Sequence, residues 1–142
     1  ILSVCLNDKR KVKLAYLFML TQAGSPCIYY GSEIGIDGFK SMTLENNRKC
    51  MIWDENKQDL ELRQFIRWLI RLRKKHPQWC EASIQWKDVE HPTVIAYQRD
   101  NITFFLNNSE DTANFIYDGS SMEISGFSYE IEGLPAADLY DF

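Results

Sequence analysis

The stretch 24-GSPCIYYGSE-33 decides how this chain is read. Cys27, Ile28, Tyr29 and Tyr30 form a short apolar run without alternation, the pattern of a strand covered on both faces. Gly24 and Pro26 stop whatever helix precedes it, and Gly31 ends the run. Ser32 and Glu33 then stand at the carboxyl end of a parallel strand, where α/β folds gather functional side chains.

Working outward, Asn7 and Asp8 are candidate N-caps for a helix reaching about Gln22. Lys9, Arg10, Lys11 and Lys13 oppose the helix dipole in its first turns, which predicts that they are solvated. From Val12 to Leu20 the helix is apolar nearly all round, so it is expected to be buried on more than one side. Helix, tight loop and buried strand make the rhythm of a parallel α/β fold. Downstream, residues 34–59 are irregular and too long for a simple connection, which marks them as a functional loop. Asp59 then caps a second helix from Leu60 to about His76. Its apolar positions Leu62, Phe65, Ile66, Leu69, Ile70 and Leu72 keep helical spacing. Arg71, Arg73, Lys74 and Lys75 suit the dipole at its end, and Pro77 stops it.

The composition changes after Trp79. Six β-rich runs, 82–86, 93–99, 102–106, 114–117, 122–124 and 129–131, alternate with turn residues. Asp100-Asn101 and Asp118-Gly119 mark hairpins. This spacing predicts an antiparallel sandwich. The fold class is therefore α/β followed by all-β, with residues 1–79 and 80–142 as the two domains. Trp68, Trp79 and Trp86 read as packing between these halves.

Hydrophobic residues make up 45% of the 142, enough to build a core rather than a disordered tail. A net charge of −4 argues against a nucleic-acid partner, and Lys9–Lys13 has no aromatic interleaving or glycine-rich loop that would reverse this. No run reaches the roughly 18 apolar residues of a membrane span, and ILSVCL lacks the basic leader of a signal peptide. These features place the chain in the cytoplasm, away from membranes. The four cysteines form no CxxC pair and only two histidines accompany them, so no metal site is expected and the thiols read as buried and reduced. No cofactor is implied. A chain that opens on Ile1 reads as a piece of a longer polypeptide.

The spacing Gly24-x-Pro26-x-x-Tyr29-x-Gly31-x-Glu33 resembles the motif around the eighth barrel strand of the α-amylase superfamily. TQAGSPCIYYGSEIG…RKCMIWDE is most similar to the neopullulanase, cyclomaltodextrinase and maltogenic amylase branch, and the likeness is specific up to Trp79. It implies the last helix–strand–helix portion of a (β/α)8 TIM barrel: helix 7, strand 8, the substrate-side loop and helix 8. A C-terminal β-sandwich follows. Such enzymes hydrolyse α-glucans with retention, using a carboxylate nucleophile and a carboxylic acid about 5–5.5 Å apart. The resemblance places these and a third carboxylate upstream of Ile1. The implied function is part of a glycoside hydrolase of maltooligosaccharides, cyclodextrins or pullulan, with no catalytic residue in this chain and no activity by the chain alone.

Four residues remain as candidates for lining a sugar site. The resemblance implies that Arg48 either contacts sugar hydroxyls or pairs with a nearby carboxylate; the acidic partner found in relatives is missing unless Glu45 replaces it. Glu33 reads first as an acceptor that holds its loop together and second as part of the site wall. Tyr30 and Trp53 offer stacking faces for glucose rings, whereas Tyr29 is expected in the core. Ser32 stands where close relatives carry aspartate. Partners are an α-glucan oligosaccharide and the upstream barrel segments. A lone barrel strand with unpaired edges also points to a homo-oligomer. The rival reading is a stand-alone carbohydrate-binding or regulatory module, which requires exposed aromatics on one sheet face drawn from Trp86, Tyr97, Phe104, Phe105 and Tyr117.

Overall fold

The computed structural model describes residues 1–38 and 48–140. Two compact units emerge: Ile1–Leu20 with Ser25–Lys75, and Thr21–Gly24 with His76–Phe142.

In the first unit, α1 spans Lys9–Thr21 and α2 spans Leu60–Lys75. Asp8 caps α1, its carboxylate accepting from Arg10 N at 2.9 Å; Leu6 and Asn7, both at positive φ, form the turn before it. No residue from 11 to 21 is exposed, as an all-round apolar helix requires. The basic first turns are answered by carboxylates rather than by water alone. Lys9 pairs with Asp59 at 2.6 Å, Arg10 with Asp8 at 2.7 Å, and Lys13 with Glu61. These pairs offset the unfavourable dipole that the sequence shows. Buried Leu62, Phe65, Ile66, Leu69 and Leu72 form the inner stripe of α2, at the expected positions.

The strand expected at Cys27–Tyr30 is absent. Residues 25–29 form no regular secondary structure, and Tyr29 and Tyr30 are 53% and 46% exposed. A strand exists only through the hydrogen bonds of its neighbours, and among the described residues nothing flanks this run. The same lack of cover corrects two further expectations. Tyr29 is not in the core, and Cys27, Cys50 and Cys80 are exposed rather than buried. Burial raises the thiol pKa of Cys5, which is half-buried. No disulfide joins them.

The second unit holds all six strands near the positions read from the sequence: β1 (Gln85–Lys87), β2 (Val94–Arg99), β3 (Ile102–Asn107), β4 (Ala113–Tyr117), β5 (Ser120–Ile124) and β6 (Tyr129–Glu132). They form an antiparallel sheet of order β1-β2-β3-β6 and a separate β4-β5 hairpin. Arg99 pairs with Ile102 and Tyr117 with Ser120, so both two-residue turns fall where Asp100-Asn101 and Asp118-Gly119 mark them. Asp118 (φ 48°) and Gly119 (φ 77°) give the mirror-image turn that suits strand twist. Val94, Ala96 and Phe105 meet Ala113, Phe115 and Ile124, which buries the hairpin's inner face on the larger sheet.

The opposite face of β2 and β3 is covered as well. Tyr97 and Phe104 stack at 5.2 Å, and Trp79 meets Phe104 edge-on at 5.8 Å. Trp79 therefore packs inside this unit, while Trp86 is 61% exposed on β1 and meets Tyr97 edge-on at 6.0 Å. Tyr97, Phe104 and Phe105 are fully buried and Tyr117 is half-buried, so the aromatic row required by the rival module is missing. Alternation along each strand sends these rings to the two covered faces.

Candidate functional site

The candidate site lies in the first unit, around the turn that follows Tyr30. Gly31 takes φ 80°, where only glycine is unstrained, and a Cβ there would stand 2.5 Å from the Ile36 side chain. This lets the chain fold back as a short 3-10 turn, Ser32–Ile34, closed by Ile36 N donating to Gly31 O at 2.9 Å. Ile34 is buried, and its carbonyl accepts from Asp59 N at 3.0 Å. The turn is thereby tied to the start of α2. Asp59 in turn accepts from Leu62 N at 3.1 Å, the N-cap bond expected from the sequence.

Burial pushes the Asp59 carboxyl up. The hydrogen bonds from Lys9 and from Leu62 N–H outweigh this, and the group sits below the usual carboxylate range. Tyr16 moves the other way. Burial raises its phenol, with the Glu33 charge adding to the rise and a hydrogen bond with Ser32 opposing it. Tyr16 and its tie to Ser32 were not legible in the sequence, where Tyr16 is one more apolar position of α1. Ser32 thus has a partner inside the unit.

Of the four candidates, the fold brings two together. The Tyr30 hydroxyl donates to Lys49 O at 3.0 Å, which holds the exposed phenol ring against the Arg48–Lys49 segment. Loss of solvent and the Tyr29 hydroxyl beside it raise the Tyr30 phenol, and the Arg48 charge pulls it back. The Tyr29 and Tyr30 rings lie 4.7 Å apart, tilted by 43°. Lys49 pairs with Asp37 at 2.7 Å and fixes the segment from the other side.

Trp53 is 81% exposed on backbone braced at both ends: Gln58 Nε2 donates to Ile52 O at 2.7 Å, and Asn56 N donates to Asp54 Oδ1 at 3.1 Å. Glu33 is half-buried, and its Oε2 atom is buried with no hydrogen-bond partner among the described residues. Its loop is held by backbone bonds from Ile36 N and Asp59 N and by the Tyr16–Ser32 hydrogen bond. Glu45, the possible acidic partner of Arg48, lies outside the described residues. Among the described residues, no group of histidine, cysteine, aspartate and glutamate is placed to hold a metal ion, and no helix is long and apolar enough to cross a membrane.

This arrangement offers aromatic faces and polar donors of the kind that suit sugar rings and hydroxyls, and Glu33 is the one carboxylate among the four candidates. Over 76 residues the chain is 53% identical to a cyclomaltodextrinase of Geobacillus thermopakistaniensis, an alignment covering 54% of this chain and 12% of that protein. Over 90 residues it is 43% identical to the intracellular maltogenic amylase of Bacillus subtilis, covering 61% and 14%. The crystal structure of a maltogenic amylase from S. marinus matches with a TM-score of 0.75 at 29% identity, across 92% of this chain and 20% of that one. The chain thus spans a fifth or less of the length of these relatives. Two helices followed by six short strands are compatible with a fragment of a TIM barrel joined to a β domain. Residues 1–93 match the family model described as the alpha amylase catalytic domain, and on that match this chain belongs to the alpha-amylase family.

Proposed function

We propose that this chain is the C-terminal portion of a retaining α-glucan hydrolase acting on maltooligosaccharides, cyclodextrins or pullulan in the cytoplasm. Residues 1–79 supply helix 7, strand 8, the substrate-side loop and helix 8 of the barrel, and residues 80–142 supply the C-terminal β-sandwich. The observation that carries the reading is the Tyr30–Lys49 hydrogen bond. It ties the exposed Tyr30 ring, with Tyr29 beside it, to the backbone next to Arg48. Relatives named cyclomaltodextrinase and maltogenic amylase supply the substrate class.

In this reading Tyr30 and Trp53 stack on glucose rings, Arg48 donates to vicinal hydroxyls, and Glu33 Oε2 accepts from a donor outside the described residues. The nucleophile, the acid/base and the third carboxylate belong to upstream barrel segments, so the chain alone does no chemistry. The experiment is reducing-sugar release from maltohexaose and β-cyclodextrin by the purified chain, over hours and against a heat-killed control. No release is expected. Turnover that disappears in Glu33→Gln would place a catalytic carboxylate within these residues and overturn the assignment.

A further inference from the structure

The segment before α1 is a run of turns that buries a hydroxyl. Cys5 N donates to Ile1 O at 3.1 Å, Leu6 N to Ser3 O at 3.2 Å and Asn7 N to Leu2 O at 3.0 Å, so the backbone folds back on itself. Ser3 is only 2% exposed, and its Oγ accepts from Gly38 N at 2.6 Å, 35 residues away in sequence. A hydroxyl out of reach of water needs such a partner, because leaving it unpaired is costly. Here the partner is the backbone of the segment that leaves the site turn.

The series of contacts continues past Gly38. Its neighbour Asp37 accepts from Lys49 Nζ through Oδ1 at 2.7 Å, and that hydrogen bond holds the Asp37 carboxyl below the usual carboxylate range. Lys49 O in turn accepts from the Tyr30 hydroxyl at 3.0 Å. Ser3, Gly38, Asp37, Lys49 and Tyr30 are therefore linked in order. An exposed ion pair is weak by itself, since two long side chains lose freedom in order to meet. Fixing the backbone of one partner beforehand removes part of that loss, and the Ser3–Gly38 bond does this for Asp37.

We propose that Ser3 is a positioning residue for the Arg48–Lys49 segment. Its buried hydroxyl pins Gly38, which presents Asp37 to Lys49 and so sets the carbonyl on which the Tyr30 phenol is seated. The consequence for sugar binding rests on the reading of Tyr30 and Arg48 given above; the coupling from Ser3 to Tyr30 stands on the hydrogen bonds alone. Ser3 acts through these residues and not by contact with a sugar.

The test compares Ser3→Ala, Ser3→Thr and Asp37→Ala with the parent chain. Asp8→Ala, which removes the nearby cap of α1, controls for loss of stability alone. Two readouts are taken: amide exchange at Gly38 with the NMR signals of Lys49 and Tyr30 in the sugar-free chain, and maltohexaose affinity by titration. In Ser3→Ala, exchange at Gly38 is expected to rise about threefold to tenfold, the worth of one hydrogen bond. The Lys49 and Tyr30 signals should shift with it, and maltohexaose should bind about twofold to fivefold more weakly. Ser3→Thr keeps the hydroxyl and should bring all of these back toward the parent. Asp37→Ala should move the Lys49 and Tyr30 signals while Gly38 stays protected, and Asp8→Ala should move neither. Lys49 and Tyr30 signals that keep their parental positions in Ser3→Ala would overturn the inference, as would equal shifts in Asp8→Ala. A parent chain that does not bind maltohexaose would instead overturn the sugar site, and the sugar-free signals would still decide the coupling.

Discussion

Lys9 and Asp59, fifty residues apart, meet at 2.6 Å at the start of both helices of the first unit. Asp59 also caps α2 through Leu62 N, and its own N–H holds Ile34 O, so one residue joins α1, α2 and the site turn. Asp59→Ala is expected to lower stability by about 1–2 kcal/mol, the usual cost of a lost N-cap. Lys9→Ala, more than half exposed, should cost less than about 1 kcal/mol. Urea midpoints with an unchanged slope would measure both, and equal losses would contradict the cap as the main contribution.

The same residue sets an acid limit. Because the folded-state pKa of Asp59 is depressed, its contribution is present above the unfolded value of about 4 and is lost as pH falls through the folded one. Stability measured from pH 5 downward should fall less steeply in Asp59→Asn than in the parent. Superimposable pH profiles would show that Asp59 is not linked to folding.

At the alkaline end Tyr97 works with the opposite sign. Burial raises its phenol, while its hydrogen bond with Thr21 opposes the rise. A raised folded-state pKa gives stability that is complete below the unfolded value of about 10 and lost as pH climbs past it. Tyr97→Phe should lose about 1 kcal/mol near neutrality with the Thr21 bond and show a shallower decline above pH 10.

Asn107 is fully buried and fully used. Its Nδ2 donates to Asp111 O, Ile124 O and Ser125 O, and its Oδ1 accepts from Thr93 Oγ1 and Ser109 N. Removing it orphans several of these groups at once, so Asn107→Ala should cost on the order of 3 kcal/mol. A loss below about 1 kcal/mol would mean that water replaces the amide.

At the proposed sugar site, Tyr30→Ala should weaken maltohexaose binding by about 1 kcal/mol or more through the lost stacking face, while Tyr30→Phe keeps the ring and loses only the tie to Lys49 O. Titration by tryptophan fluorescence, with Trp53 as reporter, separates the two. Equal effects would assign Tyr30 a scaffolding role.

The sequence was most legible where structure is local. The turn pairs Asp100-Asn101 and Asp118-Gly119 fell between paired residues, and the cap at Asp59 and the stripe from Leu62 to Leu72 were in place. Reading failed at Cys27–Tyr30, because an apolar run states a wish for burial and cannot supply the neighbours that grant it. The Tyr16–Ser32 tie and the Tyr30–Lys49 bond were invisible for another reason. Each joins residues whose separation in sequence carries no periodic signal.

The second unit is not continuous along the chain. Thr21 Oγ1 meets the Tyr97 hydroxyl at 2.7 Å inside it, and Gly24 N donates to Cys80 O at 2.8 Å. Cutting the polypeptide at Lys75 would therefore not release a finished module. The excised piece would lack its four-residue insert from the amino-terminal side, leaving a buried phenol and a carbonyl to find other donors and acceptors. During folding, closure of a loop of more than seventy residues must precede the last of its internal bonds. The β-rich unit should thus be the slower of the two to acquire native protection.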